Sequence, residues 1–123
     1  MLIHPHGESM SDISEFQRER ERLTTLMTEK ADMNMKRFLN LDTKVYEDGA
    51  LPAKQKEMLG LVASLVLRCD DCINYHLVQC YRAGVSEAEI VETMDIGLIV
   101  GGSITIPHIR RALKAWDELG RKT

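Results

Sequence analysis

Residues 57–76 read Glu57-Met58-Leu59-Gly60-Leu61-Val62-Ala63-Ser64-Leu65-Val66-Leu67-Arg68-Cys69-Asp70-Asp71-Cys72-Ile73-Asn74-Tyr75-His76. The first half, from about Pro52 to Leu67, is apolar around most of a helical circumference, as expected of a helix buried at the centre of its domain. Glu57 is its exception: a carboxylate beside the small residues Gly60 and Ser64, which either reaches solvent or meets a polar partner inside. The second half places two cysteines three apart and a histidine four residues after the second. In a helix that spacing puts His76 on the face of Cys72. Asp70 is a plausible N-cap, which would put Cys72 in the first turn.

Working outward, the same helical grammar continues. Ile73, Leu77, Cys80 and Tyr81 extend the core stripe, and Gly84 supplies a left-handed stop. Ser86-Glu87-Ala88-Glu89 is a capping box opening a fifth helix that carries Ile90, Val91, Met94 and Leu98. Gly97, Gly101 and Gly102 are sites of close backbone approach. A last helix runs from Ile104 or Pro107 to Leu119. Towards the N-terminus, Asp48-Gly49 breaks the pattern and Pro52 restarts it in the first turn of the third helix. A stretch of about Lys30 to Val45 carries Met33, Phe38, Leu39 and Leu41, and could be split by Asp42 into two helices. Ser11 caps a helix with Ile13, Phe16, Leu23, Leu26 and Met27 at helical spacing. Residues 1–10 lack periodicity and read as a flexible arm, with His4 and His6 solvated. No window alternates with period two, so the expectation is an all-α single domain of about six helices over residues 11–123.

Composition narrows the function. The net charge of −3 argues against a nucleic-acid partner, and the charged run at Arg18–Arg22 reads as a wet helix face. No membrane span is expected, because the apolar run from Ile96 to Ile106 is interrupted by glycines and far short of about 20 residues. With no secretory leader visible either, the expected location is cytoplasmic. Three cysteines there point to catalysis, metal or packing rather than a staple.

The all-helical setting removes the thioredoxin reading of Cys-x-x-Cys, which needs βαβ context. Zinc could recruit Cys69, Cys72, His76 and His108, but the second spaced ligand pair of a strong zinc motif is lacking. A nucleophilic thiol is the other use. The helix dipole and an imidazole accepting the thiol proton, directly or through a water, favour a Cys72 thiolate, whereas Asp70 and Asp71 oppose it. Glu57 would hold the imidazole if it folds back onto the site. Cys69 is then placed to resolve an oxidised Cys72. Cys80 reads as a buried apolar residue.

Glu57, Cys69, Cys72 and His76 at these separations resemble the active-site signature of AhpD-like alkylhydroperoxidases, within the carboxymuconolactone decarboxylase superfamily. The likeness extends to Lys56-Glu57-Met58-Leu59, Ala83-Gly84-Val85-Ser86 and Gly101-Gly102, and covers roughly residues 38–115. It implies a helical fold assembled as a homo-oligomer, a trimer or hexamer. It further implies a thiol peroxidase and disulfide reductase without a cofactor, taking a hydroperoxide as substrate and electrons from a dithiol or lipoyl-protein donor. In that pattern Cys72 attacks the peroxide, Cys69 resolves, and His76 and Glu57 relay the proton. Asp71 departs from it, standing where those enzymes carry a second histidine. A non-catalytic metal-binding or redox-sensing oligomer and a muconolactone decarboxylase are the alternatives.

Overall fold

The computed structural model describes residues 11–121; the arm expected over residues 1–10 lies outside them. Six α-helices follow in order: α1 (Asp12–Lys30), α2 (Met33–Val45), α3 (Ala53–Leu67), α4 (Asp70–Arg82), α5 (Glu87–Gly101) and α6 (Ile106–Arg121), with a 3₁₀ turn at Ser103–Thr105 before the last. Among the described residues there is no strand, and no helix is long and apolar enough to cross a membrane.

The caps explain most boundaries. Ser11 accepts from the Ser14 amide, and Ser86 with Glu89 forms the expected reciprocal capping box. Gly84 takes the expected positive φ of 84° just after α4. Three boundaries differ from expectation. Asp32 accepts from the Met35 amide and starts α2 there, so α2 is one helix and Asp42 lies within it. Pro52 stands just before α3 rather than inside it, and Asp48 reaches forward to accept from the Ala53 amide at 2.6 Å. The α4 cap is Cys69, whose sulfur accepts from the Cys72 amide at 3.3 Å, because the carboxylate of Asp70 is drawn away to α6.

Helix α3 packs against α4 and α5, and α4 packs against α6. Leu61 and Leu65 of α3, Ile73, Leu77 and Cys80 of α4, Ile90 of α5, and Ala112 of α6 are buried together. Gly97 brings α5 onto α3: a Cβ there would lie 2.9 Å from Leu65 Cδ1. The α3–α4 connection is tight, and Arg68 adopts a left-handed φ of 58° to make it. That costs an L-residue about 1–2 kcal/mol, offset in part because the Arg68 and Cys69 amides then reach the α3 carbonyls of Leu65 and Ser64.

The expected core faces of the first two helices are not filled by this chain. Ile13 is buried and Phe16 partly so, but Leu23, Leu26 and Met27 are exposed. Helix α2 buries none of its residues, and Phe38 is 67% exposed. Even α3 leaves Leu59 and Leu67 in the open. The periodicity marks apolar faces correctly; it does not say what covers them.

Helix α1 is therefore attached mainly by its first turn. The Ile13 amide donates to buried Glu118 Oε1 at 3.2 Å, and Lys114 pairs with Asp12. Glu118→Ala is expected to lower stability by about 1–3 kcal/mol, the cost of stranding a buried amide. Limited proteolysis should then cut α1 before the rest; unchanged urea melts would contradict this anchor.

Candidate active site: a cysteine pair beside a histidine–carboxylate pair

Helix α4 carries both halves of the site. Cys69 caps it and Cys72 is its third residue, in the first turn as expected. The two are joined in a disulfide with Cα atoms 5.3 Å apart. Cys72 is exposed and Cys69 half-buried, so a reactant arriving from solvent meets the Cys72 sulfur first.

One turn on, His76 is buried and Glu57 from α3 is buried beside it. His76 Nδ1 lies 2.8 Å from Glu57 Oε1. A carboxylate oxygen accepts, so Nδ1 carries the hydrogen and Nε2 presents its lone pair. The polar-partner reading of Glu57 is the one the structure adopts. Gly60 makes this possible: a Cβ there would sit 2.6 Å from His76 Cε1 and 2.8 Å from both ring nitrogens. The small residues beside Glu57 leave the room that the imidazole occupies.

Sequence reasoning missed the group at the other nitrogen. The Tyr46 hydroxyl stands 3.4 Å from His76 Nε2, and the two rings lie 5.2 Å apart between centroids. Burial, then the charges of Glu57 and Asp42, push the Tyr46 phenol upward, so it stays a donor at neutral pH. Its position is enforced by Lys56, whose Nζ donates to the carbonyls of Val45 and Glu47 on either side of it, at 2.8 and 2.7 Å. Thus Lys56 seats Tyr46 while its neighbour Glu57 seats the same imidazole from the opposite side. Nothing in the local pattern around Tyr46 announces this, because the contact spans 30 residues. With Cys72 in the disulfide, its sulfur has no proton to hand over, and the polar neighbour of Nε2 is Tyr46.

His108, considered as a fourth zinc ligand, turns elsewhere. Its Nδ1 lies 2.8 Å from Asp70 Oδ1, and Arg111 Nη2 donates to Asp70 Oδ2 at 3.1 Å. Among the described residues no three His, Cys, Asp or Glu side chains are grouped so as to hold a metal ion. The cluster instead ties the start of α4 to α6. Burial raises the Asp70 carboxyl, but the His108 hydrogen bond and the Arg111 charge outweigh it and hold the carboxyl below its usual value. A depressed folded value means stability that is present above the unfolded value, near 3.9, and lost as pH falls through the folded one. Asp70→Asn is expected to cost about 0.5–1 kcal/mol at pH 5–7, small because the group is half exposed. In urea melts that difference should shrink below about pH 4; a constant gap down to pH 2.5 would refute the assignment.

Cys80 is buried in the core, and burial followed by the Glu57 charge pushes its thiol up to about 12. It is therefore no nucleophile at neutral pH. Of the three cysteines, Cys72 opens on a groove of about 710 Å³ that His76 also lines.

Known proteins share this fold. The profile of the carboxymuconolactone decarboxylase family matches residues 34–116. A crystal structure of a Thermotoga maritima protein is 51% identical, covers 89% of this chain and 96% of its own, and superposes with a TM-score of 0.86. A second crystal structure of that same Thermotoga maritima protein, there described as a carboxymuconolactone decarboxylase family protein with a suggested role in the antioxidative response, is 52% identical over 87% of this chain and 91% of its own, with a TM-score of 0.82. An uncharacterized Cupriavidus necator protein is 28% identical over 85 residues, 69% of this chain and 75% of its own.

Proposed function

The chain belongs to the carboxymuconolactone decarboxylase family, and from that premise we propose that it is a thiol-dependent hydroperoxide reductase. One observation carries the reading: the Cys72 sulfur and the imidazole of His76, itself backed by Glu57, line the same groove, with Cys69 bonded to Cys72. A nucleophile, a base, an orienting carboxylate and a resolving thiol are the parts such chemistry needs.

In the reduced protein the Cys72 thiol gives its proton to His76 Nε2. It passes directly or through a water. The thiolate attacks the terminal peroxide oxygen; an S–O bond forms, the O–O bond breaks, and the alkoxide takes the proton from His76 to leave as an alcohol. Cys72 is then a sulfenic acid. Cys69 attacks its sulfur, forming the S–S bond and releasing water. A dithiol or lipoyl-protein donor returns two electrons and two protons, attacking the exposed Cys72 sulfur. Asp71 opposes the thiolate electrostatically, while the N-terminus of α4 favours it.

The assembly is proposed to be a homo-oligomer, a trimer or hexamer. The exposed apolar faces support this: Phe38 and Leu41 on α2, and Ile99 and Val100 on α5, lie open in the single chain. The protein is expected to work in the cytoplasm, where a dithiol donor can keep the pair reduced.

Thiol counting tests the reaction. One equivalent of hydroperoxide should consume two of three thiols, and peptide mass spectrometry should find Cys69 linked to Cys72. An unchanged thiol titre would sink the proposal.

A further inference from the structure

His76 has two ring nitrogens, and Glu57 commits only one of them. Glu57 Oε1, 2.8 Å from Nδ1, accepts that hydrogen whether the imidazole is neutral or charged. Nε2 therefore carries the change in protonation, and the Tyr46 hydroxyl stands 3.4 Å from it. A phenol is a partner to both forms. It donates to the bare lone pair of the neutral ring; once the ring is charged, its hydrogen rotates away and its oxygen accepts from Nε2–H. The second arrangement is charge-assisted and roughly twice as strong as the first. Contacts of this kind are commonly long at rest and tighten in the reacting state. The hydroxyl is also held in place. Lys56 Nζ donates to the carbonyls of Val45 and Glu47, which flank Tyr46, and Asp48 ties the following turn to the Ala53 amide. The Tyr46 and His76 rings pack at 5.2 Å between centroids.

We infer that Tyr46 is a positioning residue: its hydroxyl steadies the His76 imidazolium and so favours transfer of the Cys72 proton to Nε2. The link to Cys72 rests on the peroxidase reading; the hold on the imidazole does not. Other groups bear on the same ring. Glu57 faces it from α3, Tyr75 of α4 meets it edge-on at 5.1 Å, and Cys80 stays protonated in the core. Asp12, Glu15, Glu19 and Arg20 of α1, Asp42 of α2 and Asp71 of α4 border the groove that it lines. The carboxylates favour the cation as well. Tyr46→Phe removes one oxygen and leaves every one of these groups, and the ring packing, in place.

Two measurements on the full chain test the two parts. The first follows His76 by proton NMR across pH in the disulfide form. The Tyr46→Phe midpoint should fall about 0.7 of a pH unit below wild type, the fivefold that separates a charge-assisted from a neutral hydrogen bond. An unmoved midpoint would make Tyr46 a packing residue that phenylalanine replaces, and it overturns the inference, as does a raised one. The second measures alkylation of reduced Cys72 by iodoacetamide, read by peptide mass spectrometry. Near neutral pH, Tyr46→Phe should react about fivefold more slowly than wild type. The two rates should converge well above the free-thiol pKa of about 8.5. A lowered His76 midpoint with unchanged alkylation would overturn the link to Cys72. Both shifts together, with no turnover of any hydroperoxide by the wild type, would uphold the role of Tyr46 and sink the peroxidase reading.

Discussion

Cys72→Ser is expected to reduce dithiol-dependent hydroperoxide turnover at least about a thousandfold, to the level of the uncatalysed reaction. A serine hydroxyl is a far poorer nucleophile than a thiolate, and the site has no second exposed thiol to replace it. Cys69 alone is half-buried and caps the helix, and Cys80 is held protonated in the core. Cys69→Ser should behave differently. It keeps the attacking sulfur, so peroxide should be consumed in one burst per chain, leaving a sulfenic acid that dimedone traps at Cys72. Cys80→Ala should leave turnover intact. Peroxide consumption followed with a dithiol donor distinguishes these outcomes, and full turnover by Cys72→Ser would falsify the assigned nucleophile.

Gly60→Ala is expected to lose about a hundredfold in turnover with little loss of stability. The added Cβ would fall 2.6 Å from His76 Cε1, so the ring must leave its place between Glu57 and Tyr46. General base catalysis is worth about 10²–10⁴-fold, and a misplaced base forfeits much of it. Stability responds less because two effects oppose one another. Overpacking costs about 1–3 kcal/mol, whereas alanine in a helix interior gains up to about 1 kcal/mol over glycine. A turnover assay paired with urea melts reads both. Wild-type activity in a folded Gly60→Ala protein would show that the position of the imidazole does not limit the reaction.

The division between these two predictions follows how the site is encoded. Cys69, Cys72 and His76 share one helix, so their spacing puts them together whatever surrounds them. The pairing of Glu57 with His76 is less local, spanning 19 residues across the tight Arg68 turn. The likeness to a known signature pointed to it, and Gly60 and Ser64 left the room. Tyr46 had no such signal. It sits at the end of α2 and reaches the imidazole because Lys56, on another helix, grips the carbonyls beside it. His108 is legible as a histidine with several possible uses, and Asp70 as a cap that Cys69 in fact provides. The difference at Asp70 has a physical cause. A side chain that can satisfy a local amide will abandon it for a charged partner that packing brings within reach.

By itself, the sequence determined the helical class, most helix ends and the order of the chemical groups along α4, because periodicity and capping act within a turn or two. Tertiary structure alone decided which nitrogen of His76 faces Tyr46, that His108 clasps Asp70, and that an acid-rimmed apolar groove opens on Cys72. It also left the apolar faces of α1 and α2 open, since a stripe of leucines and methionines records only that something must cover it. Those outcomes depend on how helices cross, and crossing is settled by contacts between residues far apart in the chain.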